Sequence, residues 1–310
     1  MKKLLIWIVC ALLAIIVVIP FLVGDLEKEE LNEQTREQLV GEFIELSDGI
    51  THYELKGEKG AKTIVLVHGN AVPYVSWDNT VDDLVKAGFR VLRYDVFGHG
   101  FSDRPDLDKY NRDLYDKQLV ELLDKLAITG PIYMAGTSQG GSIGIYFAAR
   151  HPGRVEKLAL LAPFFDSFEG TGRVALFKTP IIGGYMMRLA GDKKLTDPSE
   201  GLYSDGKKTA LISKLKEQLR FKGKKRAVIA NLRGNALNDA TEFYTEVKKQ
   251  GIPMLLTWGK QDKSISGESM RRLRELVPTI EYHEFENAAH LAHYEFPERI
   301  NPVLIKFFNN

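Results

Sequence analysis

The sequence has a single cysteine, Cys10, so it can form no intrachain disulfide and no thiolate metal cluster. It also lacks an excess of either charge. Forty-two Lys or Arg against 41 Asp or Glu leave a formal +1, which argues against nucleic acid as the default partner. Compositional bias is absent: 27 Gly and 12 Pro in 310 residues exclude a collagen-like chain, and 44% hydrophobic residues exclude a disordered one. His290 and His293 stand three residues apart, but no carboxylate–histidine set accompanies them, so neither a metal nor an organic cofactor is expected. What is present is enough chain for one large α/β domain with a sizeable core.

The first unusual feature is terminal. After Met1-Lys2-Lys3, Leu4 to Val23 form twenty residues without a charge. As a helix rising ~1.5 Å per residue, such a run crosses a hydrocarbon core of roughly 30 Å. A cleaved signal peptide has an apolar region of only about 7–15 residues and a small-x-small site, of which Leu22-Val23-Gly24 is a poor version. The expectation is therefore an uncleaved transmembrane anchor over residues 1–24. Lysines before the span and Asp25, Glu27, Glu29 and Glu30 after it place the start in the cytoplasm and the body on the extracytoplasmic side. Residues 25–41, rich in Glu, Gln, Asn and Lys, read as a polar helical stalk.

From residue 42 the pattern changes. Two hairpin-like pieces, Glu42–Leu46 and Thr51–Leu55, flank Asp48-Gly49. Apolar runs then alternate with amphipathic helical stretches: Thr63–Val67, Arg90–Tyr94, Ile132–Ala135, Leu158–Leu161 and Met254–Trp258, with a last strand near Ile280–Phe285. Continuous apolar strands suit a parallel sheet covered on both faces, so the fold class is α/β, mostly parallel and doubly wound. The interval 163–250 has no comparable strand and reads as an inserted helical cap. It divides the core into 42–162 and 251–310.

Gly136-Thr137-Ser138-Gln139-Gly140 follows one strand and opens a helix, the context a nucleophile elbow requires. A serine hydroxyl needs a base to take its proton and an acid to orient that base. Asp262 follows the strand ending at Trp258-Gly259, and His290 follows the final strand, which gives the order Ser138, Asp262, His290. Individually each is also consistent with an ordinary turn or helix-start residue; their joint order and placement argue for catalysis. A tetrahedral oxyanion needs prearranged N–H donors. Gln139, next to the nucleophile, should supply one and Asn70, in the turn His68-Gly69-Asn70-Ala71 after an early strand, the other. His52, His151 and His283 read as structural or solvated.

These residues resemble the α/β-hydrolase superfamily, in its serine-nucleophile branch of esterases, monoacylglycerol lipases and meta-cleavage-product hydrolases. The resemblance runs from about Phe43 to Phe308. Five segments carry it in order: His68-Gly69-Asn70, DVFGHGFSDRP from Asp95 to Pro105, Gly136 to Gly140, Trp258 to Asp262, and HLAHYEFP from His290 to Pro297. It implies that Gly98-x-Gly100-x-Ser102 braces a loop and that His99 stands outside the triad. The sequence departs from the pattern at Gln139, where many relatives have Met, at Ser266, where a Pro often follows the acid, and at Asn70-Ala71, where Pro or Gly is common. The first segment is also similar to haloalkane dehalogenases, which use an Asp nucleophile; Ser138 disfavours them.

Substrate choice falls to the cap. It holds 17 Lys or Arg against 10 Asp or Glu, a local +7 against −6 elsewhere. Val174–Phe177, Ile181, Ile182, Tyr185, Met186, Met187 and Leu189 give it a greasy stretch beside a basic run from Lys214 to Arg226. Such a surface suits either anionic lipid headgroups or a solvated helical face. The expected activity is a membrane-anchored carboxyl-ester hydrolase acting through an acyl-enzyme on a lipid-like substrate such as a monoacylglycerol or lysophospholipid. The alternatives are a C–C bond hydrolase of meta-cleavage-product type, which uses the same triad, and a non-hydrolytic ligand-binding protein on the same fold.

Overall fold

A computed structural model describes residues 2–70, 72–166, 172–196 and 208–310. The chain opens with α1 (Lys2–Leu22) and one helical turn, α2 (Glu33–Arg36), before a hairpin of β1 (Glu42–Leu46) and β2 (Gly49–Lys56). There follow β3 (Thr63–Val67), α3 (Val81–Lys86), β4 (Arg90–Tyr94), α4 (Arg112–Lys125), β5 (Ile132–Thr137), α5 (Gln139–Arg150) and β6 (Val155–Leu161). Next come α6 (Gly172–Lys178), α7 (Ile182–Thr196), α8 (Lys208–Leu219), α9 (Lys224–Arg233) and α10 (Thr241–Lys249). The chain ends with β7 (Met254–Gly259), α11 (Gly267–Leu276), β8 (Glu281–Phe285), α12 (Ala292–Glu295) and α13 (Pro297–Asn309).

The strands form one sheet of order β1-β2-β4-β3-β5-β6-β7-β8, parallel from β4 to β8, with the β1/β2 hairpin antiparallel at one edge. Strand side chains alternate between two apolar layers. Val65 and Val67 face a layer built with Tyr115, Leu119 and Leu122 of α4, Ile143 and Phe147 of α5, Tyr244 of α10 and Leu273 of α11. Ile64 and Leu66 face the other, with Leu84 of α3 and Ile300, Leu304 and Phe308 of α13. All five residues of β3 are buried, as a central parallel strand demands. Each fully buried aliphatic side chain there contributes roughly 1.5–3 kcal/mol, so Leu66→Ala should cost about 2–5 kcal/mol. α10 lies inside the stretch read as cap, yet it packs on α5 and α11 and covers the sheet, so the cap proper ends before it.

At the N-terminus the described residues give the anchor no support, and the stalk expectation needs correction. Among the described residues no helix is long and apolar enough to cross a membrane. Within α1, Leu4, Leu5, Ile6 and Trp7 are exposed, but the side chains at 9, 11–13, 15–17 and 21 lie outside the description, so those that are described do not make a continuous span. The stalk is helical only at α2, where Asn32 and Thr35 form a reciprocal cap. Residues 25–30 instead form a strap bound to the cap, and residues 37–41 are turns and bends leading into β1. Lys28 and Glu29 N–H groups donate to Arg220 O at 2.8 and 2.9 Å, and Lys222 N–H donates to Glu29 O at 2.9 Å. The Glu27 carboxylate accepts the N–H of Lys225 at 2.6 Å and of Gly223 at 3.2 Å, capping the start of α9, where a negative charge complements the helix dipole.

The strap also accounts for much of the cap's basic run. Lys225 pairs with Asp25 at 2.7 Å and with Asp192 at 2.5 Å, Lys222 with Glu30 at 2.5 Å, Arg220 with Glu29 at 3.5 Å and Arg188 with Asp25 at 3.3 Å. Lys214 pairs with Asp78 of the core. These cations meet carboxylates of the same chain, which removes the observation that pointed to anionic headgroups. The greasy stretch is exposed at Leu176, Ile181 and Ile182, while Phe177 and Met187 pack inward with Val228 and Ile229. The Val174 side chain, named with that stretch, lies outside the described residues, as does Ala71 of the oxyanion turn.

Candidate active site

The sharp turn after β5 is real and strained. Ser138 has φ 53° and ψ −120°, a left-handed φ that a side-chain-bearing residue rarely adopts, and it forms the N-terminal cap position of α5. Close approach makes the flanking glycines obligatory. A Cβ on Gly136 would lie 2.3 Å from Gly140 O, and one on Gly140 would lie 2.1 Å from Val67 O. The turn is pinned by Ser138 N–H donating to Leu161 O at 3.0 Å and by Phe164 N–H donating to Ser138 O at 3.0 Å. Its hydroxyl caps nothing in α5. Gly69, from the turn after β3, leaves room beside it: a Cβ there would stand 3.0 Å from Ser138 Cβ.

The acid and the imidazole meet on neighbouring strand exits. Asp262 Oδ2 lies 2.7 Å from His290 Nδ1, with both residues buried. The other oxygen, Oδ1, accepts the N–H groups of Ser264 at 2.7 Å and Ile265 at 2.9 Å. With a carboxylate opposite, Nδ1 is the protonated nitrogen, which leaves Nε2 as an acceptor. No hydrogen bond joins Ser138 to His290; catalytic hydrogen bonds of this kind often tighten only in the complex with substrate.

Asn70 and Gln139 come together through a third residue. Asn70 Oδ1 accepts from His99 Nε2 and from Asn231 Nδ2, each at 3.0 Å, and His99 Nε2 also lies 3.0 Å from Asn70 O. The Gln139 side chain pairs reciprocally with Asn231. His99 thus braces the turn and does not touch the acid–imidazole pair. Burial and the positive charge of Lys224 hold it well below the ordinary histidine range, so it is neutral and donates from one nitrogen. Its neighbour His68, lowered to about 4 chiefly by burial, faces Gly69 O through Nδ1 at 2.7 Å and accepts the Val96 N–H on Nε2 at 2.9 Å.

Behind this turn lies a polar hub that pattern reading missed. Asp95 is fully buried; its Oδ1 accepts the N–H of Tyr74 at 2.9 Å, and its Oδ2 accepts the N–H of Phe101 at 3.0 Å and lies 2.7 Å from His52 Nδ1. Burial alone would raise this carboxyl, but the bond and charge of His52, the charge of His68 and the Tyr74 N–H outweigh it and lower it to about 2. His52, read as structural or solvated, is a structural member of that hub and ties it to Val40 O at 2.9 Å. The available signal was an Asp at a strand end preceding Gly98 and Gly100; the partners of Asp95 are remote in sequence. Asn231 also escaped notice, although one amide in the run Ala227 to Leu232 marks a polar group on an otherwise apolar helix face.

Among the described residues no group of three or more His, Cys, Asp or Glu side chains is placed to hold a metal ion. His293 is buried against Trp77, ring centroids 4.3 Å apart, and neither ring nitrogen has a partner. A cavity of about 350 Å³ between strap and cap, lined in part by Asp25, Glu27, Arg188, Lys225 and Arg233, does not include Ser138.

A parallel sheet that presents a serine on a strand-to-helix elbow, with an acid–imidazole pair on later strand exits, is the architecture of an α/β hydrolase. The chain belongs to the alpha/beta hydrolase fold family, whose model matches residues 62–297. It is 26% identical over 287 residues to a 2-hydroxy-6-oxononadienedioate/2-hydroxy-6-oxononatrienedioate hydrolase of Cupriavidus pinatubonensis, covering 86% of this chain and 95% of that one. It is 25% identical over 272 residues to a non-heme chloroperoxidase of Streptomyces lividans, covering 85% and 98%. Among solved structures it is similar to the enol-lactonase of Burkholderia xenovorans LB400, with a TM-score of 0.74 and 23% identity over 87% of this chain and all of that one.

Proposed function

We propose that the chain is a serine hydrolase in which Ser138 attacks a carbonyl carbon, His290 takes and returns the proton, and Asp262 orients His290. The observation that carries this reading is the buried 2.7 Å contact between Asp262 and His290, on the sheet that also carries the strained Ser138 elbow. Backbone N–H groups of Asn70 and Gln139 hold the oxyanion. Water then releases the acyl group, and no cofactor takes part. A fluorophosphonate probe tests the chemistry: wild type should be labelled covalently, Ser138→Ala should not, and an unlabelled but folded wild type would favour a ligand-binding protein instead.

For the substrate, a vinylogous diketone acid cleaved at a C–C bond is preferred to a lipid-like ester. Relatives such as the Cupriavidus hydrolase support it, and the pairing of the cap's cations with the strap weakens the case for a lipid surface. Turnover of a ring-fission product without turnover of p-nitrophenyl esters is the expected result. The ester reading rests on the exposed apolar edge of the cap at Leu176, Ile181 and Ile182. A rate that climbs with acyl chain length and responds to micelles would select it. The uncharged run from Leu4 to Val23 supports anchoring of α1 in a bilayer with the body outside the cytoplasm. Resistance of the chain to carbonate extraction and its digestion by protease in spheroplasts would test that placement.

A further inference from the structure

The cap is more than a cover for the proposed site, because one of its residues reaches both turns that carry the oxyanion donors. Asn231 lies on α9 and is completely buried. Its Nδ2 donates to Asn70 Oδ1 at 3.0 Å and to Gln139 Oε1 at 2.8 Å. Its Oδ1 accepts from Gln139 Nε2 at 3.0 Å and from the Tyr115 hydroxyl at 2.8 Å. Two donor hydrogens and two acceptor sites are all that an amide side chain has, so Asn231 is saturated and locked in one orientation.

The geometry points to Asn231 as a positioning residue that aligns the N–H donors of Asn70 and Gln139 and makes their alignment depend on α9 being seated. The inference rests on the serine-hydrolase reading above. Asn70 leaves the end of β3 and Gln139 starts α5, so two separate turns must keep a fixed spacing for both N–H groups to converge on one oxygen. Asn231 bonds to both side chains, and it belongs to neither turn. His99 holds Asn70 from the core side but does not reach Gln139. A cap movement large enough to displace α9 would break these bonds, so full transition-state stabilisation is available only with the cap closed. The strap reinforces that state through Glu27, which caps α9, and Lys225, which ties the same helix to Asp25 and Asp192.

Losing one oxyanion donor outright lowers turnover by roughly 10²–10³. Asn231→Ala leaves the donors in place but unaligned, so the expected loss is about tenfold to a hundredfold in kcat with KM within about threefold. The test uses the full-length protein, a chromogenic substrate it turns over, and the variants Asn231→Ala, Asn70→Ala and their double. Asn70→Ala keeps its N–H and removes the side-chain amide whose oxygen is held by both Asn231 and His99. If Asn231 acts by aligning that turn, the two changes share the lost Asn231–Asn70 bond and the double variant loses clearly less than the two single losses combined. Additive losses, a kcat within twofold of wild type for Asn231→Ala, or a rise in KM with kcat unchanged would overturn the proposal. Should Asn231→Ala fold poorly, Asn231→Asp replaces it in the cycle, since it keeps the acceptor for Tyr115 and loses the donor to Asn70. Loss of fluorophosphonate labelling in wild type, or retained activity in Ser138→Ala, would instead count against the hydrolase reading itself.

Discussion

Replacing Asp262 by Asn separates orientation of the imidazole from stability of the turn that carries the acid. In the native protein Oδ1 accepts two backbone N–H groups, at 2.7 and 2.9 Å, and Oδ2 faces His290 Nδ1 at 2.7 Å. An asparagine keeps its carbonyl oxygen on the two N–H groups, because only an acceptor fits there. Its amide nitrogen then takes the place of Oδ2 and donates to Nδ1, which forces the ring proton onto Nε2. The nitrogen that must accept the Ser138 proton becomes a donor. Such a reversal lowers kcat by roughly 10⁴, about 5 kcal/mol of transition-state stabilisation. Stability should change little, since the backbone bonds survive and one charge-assisted contact is exchanged for a neutral one, a loss of about 1 kcal/mol. Steady-state kinetics with an activated substrate, the second-order rate of fluorophosphonate labelling, and thermal unfolding read these quantities separately. A folded Asp262→Asn that keeps more than a tenth of the wild-type kcat would refute the assignment.

Other outcomes follow from the surrounding structure. Gly140→Ala sets a methyl 2.1 Å from Val67 O, a backbone atom fixed within the sheet, so it should cost more than about 4 kcal/mol or abolish soluble expression, as expression and urea titration would show. Asp95, with its carboxyl lowered to about 2 in the fold, stabilises the protein above the unfolded value near 4 and loses that contribution as the pH falls from about 4 towards 2. Urea midpoints over that range should show a decline on the order of 2 kcal/mol that is absent in Asp95→Asn. Lys224 is lowered to about 7, by burial first and by the Arg104 charge second. Between about pH 7 and 10 the unfolded chain therefore binds a proton that the folded chain does not, so stability rises with pH there; Lys224→Met should flatten the rise, and an unchanged slope would rule out Lys224 as its source. Glu27→Ala removes the cap of α9 and should cost about 1–2 kcal/mol while speeding proteolysis within the cap.

The sequence by itself determined the sheet, the elbow and the order of the proposed triad. Thr63–Val67 and its equivalents are continuous apolar runs of the kind a parallel sheet covered on both faces needs, and Gly136 and Gly140 mark a strand-to-helix turn too tight for a Cβ. Asp262 and His290 were legible because each follows its own strand, so topology brings them together wherever that sheet forms. Tertiary structure alone decided what covers the site. Sequence predicts a polar helical stalk over residues 25–41 and a cap that includes α10, whereas Glu29, Glu30 and Asp25 pair with Arg220, Lys222 and Lys225, and α10 packs on α5. Asn231 touches Asn70 and Gln139 across separations of 161 and 92 residues. Backbone periodicity records which face of a helix is buried; it carries no trace of which distant side chain completes a hydrogen bond, because that choice is made only when separate elements pack.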